Sequence, residues 1–358
     1  MTENEPLPVG LVGCGNIFER YVNGLRRFGH EVEVVWCADI DVRLAERRAK
    51  ELDVPKAGSP ADAAADRLGF AALVVNLTPP AAHASVTRQF LLAGKHVYTE
   101  KPLATSLRDA QELLGLASRQ SLSVGGAPDW FLGRTARTAR GALTRGEIGE
   151  PLAFSAFITH NQVESWHPNP AIFFQPGAGP VLDLGPYYVS ALVDSLGPVR
   201  SLAAVERTGE ATRLVTAPGR VVDSITVEVP THSTAILEME SGVIGTLTMS
   251  FEAWERNVPF IDVYGTGATL SLPMPLERDA PVRVKRHEED AWRELELVQG
   301  TDYVRGMGVA DMARSVRAGA APAASGERAY HVLEVLSAVG ESNLKRKFIP
   351  ISSTYQEK

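Results

Sequence analysis

Cysteine is nearly absent from this 358-residue chain: Cys14 and Cys37 are the only two, and both fall in short apolar runs. A disulfide framework is thereby excluded, and two buried free thiols in a reducing compartment are expected. Long hydrophobic runs are missing as well; none reaches the roughly 18 apolar residues that a membrane-spanning helix needs. The opening Met1-Thr2-Glu3-Asn4-Glu5-Pro6 is acidic and lacks the apolar core of a secretory leader, so a cytoplasmic location with no membrane partner is expected. There is no basic surplus either. Lys and Arg number 36 against 43 Asp and Glu, a formal charge of −7, which argues against nucleic acid as a partner. The arginines between 134 and 145 recur at helical spacing and are expected on a solvated face. No internal repeat occurs.

What is present is the composition of a soluble globular protein, 44% hydrophobic and 22% charged, in a chain long enough for two domains. The first third alternates apolar runs with amphipathic stretches. Strands are expected at Val9–Val12, Glu33–Cys37, Ala72–Leu77, Val97-Tyr98 and Leu122–Gly125. Helices are expected between them: one ending near Phe28-Gly29, then Arg43–Leu52, His83–Ala93 stopped by Gly94, and one capped by Ser106. This alternation specifies βαβ units and an α/β, doubly wound parallel sheet of the Rossmann type.

After about residue 150 the pattern changes. Strand-like runs at Ile225–Val229, Thr234–Glu240, Val243–Phe251, Phe260–Tyr264 and Val282–Lys285 follow one another with little helix, and Ser241-Gly242 reads as a hairpin turn. The second half is therefore expected to be α+β with a large, mostly antiparallel sheet. The expected division is 1–127 for a nucleotide-binding domain and 128–358 for a substrate-binding and oligomerisation domain. A final helix at about 329–344 is expected to pack back toward the first domain, after a small-residue loop at Ala318–Ser325.

Gly13-Cys14-Gly15 follows the first strand and opens a helix, the context in which a glycine pair cradles a dinucleotide pyrophosphate at a helix N-terminus. Asn16 and Ile17 complete that turn. The third position of the fingerprint is Phe18, so close helix–strand packing must be arranged differently there. Asp39 ends the second strand, where a carboxylate accepts ribose hydroxyls and repels a 2′-phosphate. NAD is expected over NADP, with nearby Arg43 the one feature pulling the other way. Two more loops leave strand ends on the cofactor side: Asn76-Leu77-Thr78-Pro79-Pro80 and Thr99-Glu100-Lys101-Pro102.

With these segments in place, the chain resembles the glucose-fructose oxidoreductase / inositol dehydrogenase / MocA (Gfo/Idh/MocA) family. The resemblance runs through Gly13-Cys14-Gly15-Asn16-Ile17, Thr78-Pro79-Pro80-Ala81-Ala82-His83, Gly94-Lys95-His96-Val97 and Glu100-Lys101-Pro102. It continues in Gly177 to Tyr188, Arg305 to Met312 and Ser325-Gly326-Glu327, covering nearly the whole chain in order. It implies hydride transfer between NAD(H) and a secondary alcohol or ketone of a sugar, sugar derivative or cyclitol. It also implies that Lys101 hydrogen-bonds the reacting hydroxyl and that Asp183 orients substrate and lysine. Gly13, Gly15, Asn16, Ile17, Asp39, Thr78, Pro79, His83, Glu100 and Lys101 are the residues expected to hold the cofactor. Where many members carry His, four residues after that Asp, this chain has Tyr187, as in the glucose-fructose oxidoreductase branch. A tyrosine, with an ordinary pKa of about 10, is already a proton donor in the reductive direction. Acting as a base it needs a neighbouring cation, the part expected of Lys101. Tyr188 is expected in the core.

Sugars bind against aromatic platforms with polar partners for their hydroxyls. Trp166, His167 and Asn169, in the loop Trp166-His167-Pro168-Asn169, fit that description, and Asp129, beside Trp130, is expected to close the pocket. His160, His167 and Asp183 match no metal-ligand spacing, and no metal is expected. The partners expected are a small sugar or polyol and further copies of the chain, a homodimer or homotetramer formed through the C-terminal sheet. Two alternatives use the same motifs: a glycosidase or eliminase that oxidises its substrate transiently, and a non-catalytic dinucleotide-binding sensor.

Overall fold

The alternating first third folds as its periodicity requires. In the computed structural model, which describes residues 5–167, 169–217, 224–254, 258–275, 277 and 280–355, six strands form one parallel sheet. They are β1 (Leu7–Val12), β2 (Val32–Ala38), β3 (Ala57–Gly58), β4 (Leu73–Asn76), β5 (His96–Thr99) and β6 (Val124–Gly126). Their order, β3-β2-β1-β4-β5-β6, is that of a Rossmann sheet. Helices α1 (Phe18–Leu25), α2 (Val42–Glu51), α3 (Pro60–Ala64), α4 (Pro80–Leu92) and α5 (Leu107–Arg119) connect them.

Local chemistry sets the helix starts. Asp41 caps α2 by accepting the Arg43 and Leu44 amides, and Ser106 caps α5 by accepting the Asp109 amide at 3.1 Å. Such caps contribute about 1 kcal/mol each. The short β3 and α3 carry too few apolar residues to show a period. Phe18, where the fingerprint usually has a small residue, is fully buried, and the smaller residue lies instead in β1. There Gly10 makes room for Trp36, whose ring occupies the space a Cβ would fill, stacks on Phe90 and donates its indole N–H to Gly69 O. Cys14 and Cys37 are buried free thiols.

The compact units do not follow chain order. The first comprises residues 1–133, 303–333 and 354–358, and the second residues 134–302 and 334–353. A single cut at 127/128 misses the return of the chain. Tyr303 and the helix Met307–Arg317 belong with the first unit because they bond to Asp129 inside it. The division falls within the last helix, Gly326–Lys345.

The second unit is built on a nine-stranded sheet. Its members are β7 (Pro151–Thr159), β8 (Val199–Arg207), β11 (His232–Met239), β12 (Ile244–Ser250), β13 (Ile261–Gly265), β14 (Ala268–Leu272), β15 (Arg283–Arg286), β16 (Arg293–Glu294) and β17 (Ile349–Pro350). β9 (Thr212–Leu214) and β10 (Ser224–Thr226) pair separately. All neighbours are antiparallel except β7 with β12. Ser241-Gly242 forms the β11–β12 hairpin turn, with Gly242 N–H donating to Met239 O. Helices α6 (Arg134–Thr144), α7 (Gly179–Asp183) and α8 (Gly185–Leu196) precede β8. The arginine-rich α6 is not simply a solvated face, for its Arg140 pairs with the buried Asp194 at 2.6 Å. Phe154, Ala156, Leu247, Met249, Ala235 and Leu237 share the covered face of the sheet. No helix among the described residues is long and apolar enough to cross a membrane.

Candidate active site

In the first unit, the ends of β1, β2, β4 and β5 bring four loops to one edge of the sheet. After β1 the chain turns at Gly13, whose φ of +96° and close approach to the Leu77–Thr78 backbone leave no room for a side chain. Gly13 N–H donates to Ala38 O, and Cys14 N–H donates to Asp39 Oδ2 at 2.8 Å. Asp39 Oδ1 accepts the Asp41 amide at 3.0 Å, so the acid that ends β2 also sets the β1 turn. Gly15 and Asn16 are exposed, a Cβ at Gly15 would stand in open space, and no side chain caps the start of α1. An uncapped helix start behind a bare glycine is what an approaching pyrophosphate requires. The residues present fit the dinucleotide.

Asn76, at the end of β4 and fully buried, shapes the next loop. Its Oδ1 accepts Thr78 N–H at 3.2 Å and Thr78 Oγ1–H at 2.6 Å, while its Nδ2 donates to His83 O and Thr87 Oγ1. Thr78 is half-buried, and Pro79 stands exposed at the head of α4. His83 is turned inward: its ring nitrogens lie 2.6 Å from Pro102 O and 2.8 Å from Thr78 O, and burial pushes its pKa down. The ring therefore braces the two cofactor-side loops.

Glu100 also turns inward. Its Oε1 accepts Tyr21 OH at 2.8 Å and Arg305 Nη1 at 3.0 Å, and its Oε2 accepts Lys101 N–H at 2.9 Å. Lys101 follows it half-buried. Asp129, expected to close the substrate pocket, is sealed inside the first unit at 0% exposure. Its oxygens accept Tyr303 OH and Gly308 N–H, and burial pushes its carboxyl pKa up. A carboxylate so occupied holds the return segment rather than a ligand. Asn76, Tyr21 and Arg305 shape these loops without belonging to the expected site residues. Only Asn76, a polar residue closing an apolar strand, offers a local signal.

In the second unit, Asp183 ends α7 half-buried, and Tyr187 lies in the first turn of α8 at 9% exposure. Tyr188 is in the core, as expected. Gly185 between them packs where a Cβ would meet Leu336 and Met249, the steric reason for glycine two residues after the acid. His160, which follows β7, stacks on Trp166 at 5.2 Å; Trp166 meets His167 edge-on at 5.4 Å, and His167 meets Phe173 at 4.9 Å. Trp166 is 52% exposed, and exposed Asn169 donates its backbone N–H to His167 Nδ1. Pro168 lies outside the described residues. Burial pushes the His160 pKa down, opposed by the charge of Asp183. The loop is anchored by Glu164, whose carboxylate pairs with Arg213 at 3.0 Å and whose carbonyl accepts the Thr216 and Ala217 amides. Among the described residues no group of three or more His, Cys, Asp or Glu side chains could hold a metal ion.

Comparison with known proteins matches both units to one family. Residues 7–126 match the family described as oxidoreductase family, NAD-binding Rossmann fold, and residues 136–271 match the GFO/IDH/MocA C-terminal domain. The dTDP-3,4-didehydro-2,6-dideoxy-alpha-D-glucose 3-reductase of Saccharopolyspora spinosa is 27% identical over 351 residues, 94% of this chain and 98% of that protein. The trans-1,2-dihydrobenzene-1,2-diol dehydrogenase of Bos taurus is 26% identical over 313 residues, 86% of each chain. Among solved structures, a levoglucosan dehydrogenase in complex with NADH and L-sorbose superposes with a TM-score of 0.84 at 18% identity, covering 98% of this chain and 100% of that one.

Proposed function

Since the chain belongs to the GFO/IDH/MocA family of NAD-binding oxidoreductases, we propose that it transfers a hydride between NAD(H) and a secondary alcohol or ketone of a sugar, sugar derivative or cyclitol. The single observation that carries the substrate class is the near full-length likeness to a reductase of a dTDP-activated keto sugar. The likeness to a dehydrogenase of a cyclic diol extends the same chemistry to ring carbinols. The exposed Trp166, flanked by His160 and His167, supports it: an indole face suits the C–H face of a sugar ring, and imidazoles suit its hydroxyls.

NAD, when bound, supplies or accepts the hydride. Gly13, Gly15, Asn16 and Ile17 would hold its pyrophosphate at the open α1 N-terminus, Asp39 would accept its ribose hydroxyls, and Thr78 and Pro79 would contact its nicotinamide end. In the reductive direction Lys101 hydrogen-bonds the substrate carbonyl oxygen and stabilises the charge that gathers there. Tyr187 takes the part of proton donor in reduction, so that a neutral alcohol would result once NADH had supplied its hydride. Asp183 orients the substrate hydroxyls, and Asn169 adds an amide partner at the rim. In the oxidative direction the same proton returns to Tyr187.

Purified protein mixed with NADH and a panel of keto sugars, or with NAD and a panel of sugars and cyclitols, tests this reading by nicotinamide absorbance. Net oxidation or reduction with one chemical class is expected; bound NADH with no net change and no product across the panel would sink it. Trp166→Ala is expected to raise the KM of the accepted sugar by about three- to tenfold, the worth of an aromatic face, with the KM for NADH unchanged. An equal rise in both would contradict the platform.

We also propose that the chain assembles with itself through the outer face of the nine-stranded sheet. On that face Val205, Ile236 and Ile244 are each more than half exposed, and Tyr264 stands beside them. Neighbouring apolar residues on an open sheet favour a closed homo-oligomer. Light scattering is expected to give a dimer or tetramer mass that falls to the monomer in Ile236→Asp; a monomeric parent protein would contradict this.

A further inference from the structure

The proposed chemistry leaves Arg305-Gly306-Met307-Gly308 without a task, yet this segment reaches the end of β5 inside the first unit. Arg305 Nη1 donates to Glu100 Oε1 at 3.0 Å, with the two side chains only 13% and 11% exposed. Tyr21 OH donates to the same oxygen, and the other oxygen accepts the Lys101 amide. Gly308 N–H and Tyr303 OH hold the segment on either side by donating to the two oxygens of Asp129. A Cβ at Gly308 would lie 2.6 Å from Tyr98 Oη and 2.9 Å from Asp129 Cβ, so the segment is seated without slack.

We propose that Arg305 is a positioning residue for hydride transfer, acting on Lys101 through Glu100. It keeps Glu100 a buried carboxylate whose second oxygen fixes the Lys101 backbone. The catalytic part of this inference rests on the reading of Lys101 as the lysine that meets the substrate oxygen.

The physical argument is compensation. A carboxylate taken out of water stays ionised only if charges and donors replace the lost hydration. The groups that face Glu100 are the Arg305 guanidinium, the Lys101 ammonium and amide, the Tyr21 and Tyr98 phenols, the His83 ring and the Asp129 carboxyl. Burial pushes the Glu100 carboxyl up, Arg305 is the strongest group pulling it down, and the balance lies below the usual carboxylate range. Without the guanidinium, burial is opposed chiefly by Lys101, and the pKa must rise. Glu100 then takes up a proton as pH falls through the raised value. The protonated acid has lost acceptor capacity at the oxygens that Tyr21 and the Lys101 amide use.

The test uses the full chain with Arg305→Met and Arg305→Lys, their folding checked by circular dichroism. The backbone amide resonance of Lys101, hydrogen-bonded to Glu100, reports the carboxyl's protonation whether or not a substrate is known. Between about pH 5.5 and 8 it is expected to stay flat in the parent protein, to titrate in Arg305→Met and to be flat again in Arg305→Lys. Turnover by Arg305→Met is expected to fall roughly tenfold near the acid end and recover along the same curve, with KM for NADH unchanged and rescue by Arg305→Lys. A flat amide resonance in Arg305→Met overturns the proposal, and so does a titrating one with parent-level turnover throughout. If the parent protein turns over nothing, the Lys101 reading falls, while the amide titration still decides whether Arg305 holds Glu100 ionised. Should Arg305→Met not fold, Tyr21→Phe removes one donor from the same oxygen. It is expected to give a smaller rise in the same direction, and no change would count against the proposal.

Discussion

Replacing Lys101 with alanine is expected to lower kcat by about two to four orders of magnitude while NAD still binds. The size follows from what the side chain is asked to do. It alone, in the proposed mechanism, presents a cation to the oxygen on which charge gathers as the hydride moves, and an interaction made mainly in the transition state appears in kcat rather than in KM. The dinucleotide site should survive, because the backbone amide of Lys101, which alanine retains, is tied to Glu100 at 2.9 Å. Single-turnover oxidation of NADH, with a fluorescence titration of NADH alongside, separates the two quantities. A variant that keeps its rate within a few-fold would remove Lys101 from the chemistry. Unchanged function despite that loss of chemistry would point to a dinucleotide sensor.

Asp39→Ala is expected to weaken NAD binding by roughly ten- to a hundredfold, the equivalent of one charge-assisted hydrogen bond or a little more. Two effects add. The ribose hydroxyls lose their acceptor, and the Cys14 and Asp41 amides lose the carboxylate that sets the turn between β1 and α1. The same change should bring NADP affinity closer to NAD affinity, because the charge that repels a 2′-phosphate is gone. Calorimetric titration with both dinucleotides checks this. Undiminished NAD binding would mean that the ribose is held elsewhere.

The parts of the fold visible in the sequence are those with a local period. β1, β2, β4 and β5 are short apolar runs followed by amphipathic helices, and the glycine turn at Gly13 follows directly on β1. The longest strands of the second unit, β7 and β8, escape notice for an understandable reason. In β7 one face of the alternation is Ala153, Ser155 and Phe157, half-buried residues too mixed in polarity to contrast with Phe154, Ala156 and Ile158. The return of Tyr303–Leu333 to the first unit is equally silent, since its key bonds join Asp129 to residues 174 and 179 positions away.

For the site, the sequence names the loops better than it orients their side chains. Thr78, Lys101, Asp183 and Trp166 are at least partly accessible, whereas His83, Glu100 and Asp129 turn inward. A polar residue after a strand has the same local pattern whether it faces a ligand or satisfies buried donors. What decides is a distant partner: Pro102 O for His83, Arg305 for Glu100, Tyr303 for Asp129. None of these can be read from neighbours in the chain.

The most direct test of hydride transfer to a sugar carbon uses NADH deuterated at the transferring position of nicotinamide C4, with a keto sugar from the accepted class. The account predicts one deuterium at the new carbinol carbon of the product and one equivalent of NAD formed. Turnover that releases product with no deuterium at that carbon, or with NADH left unconsumed, would contradict it.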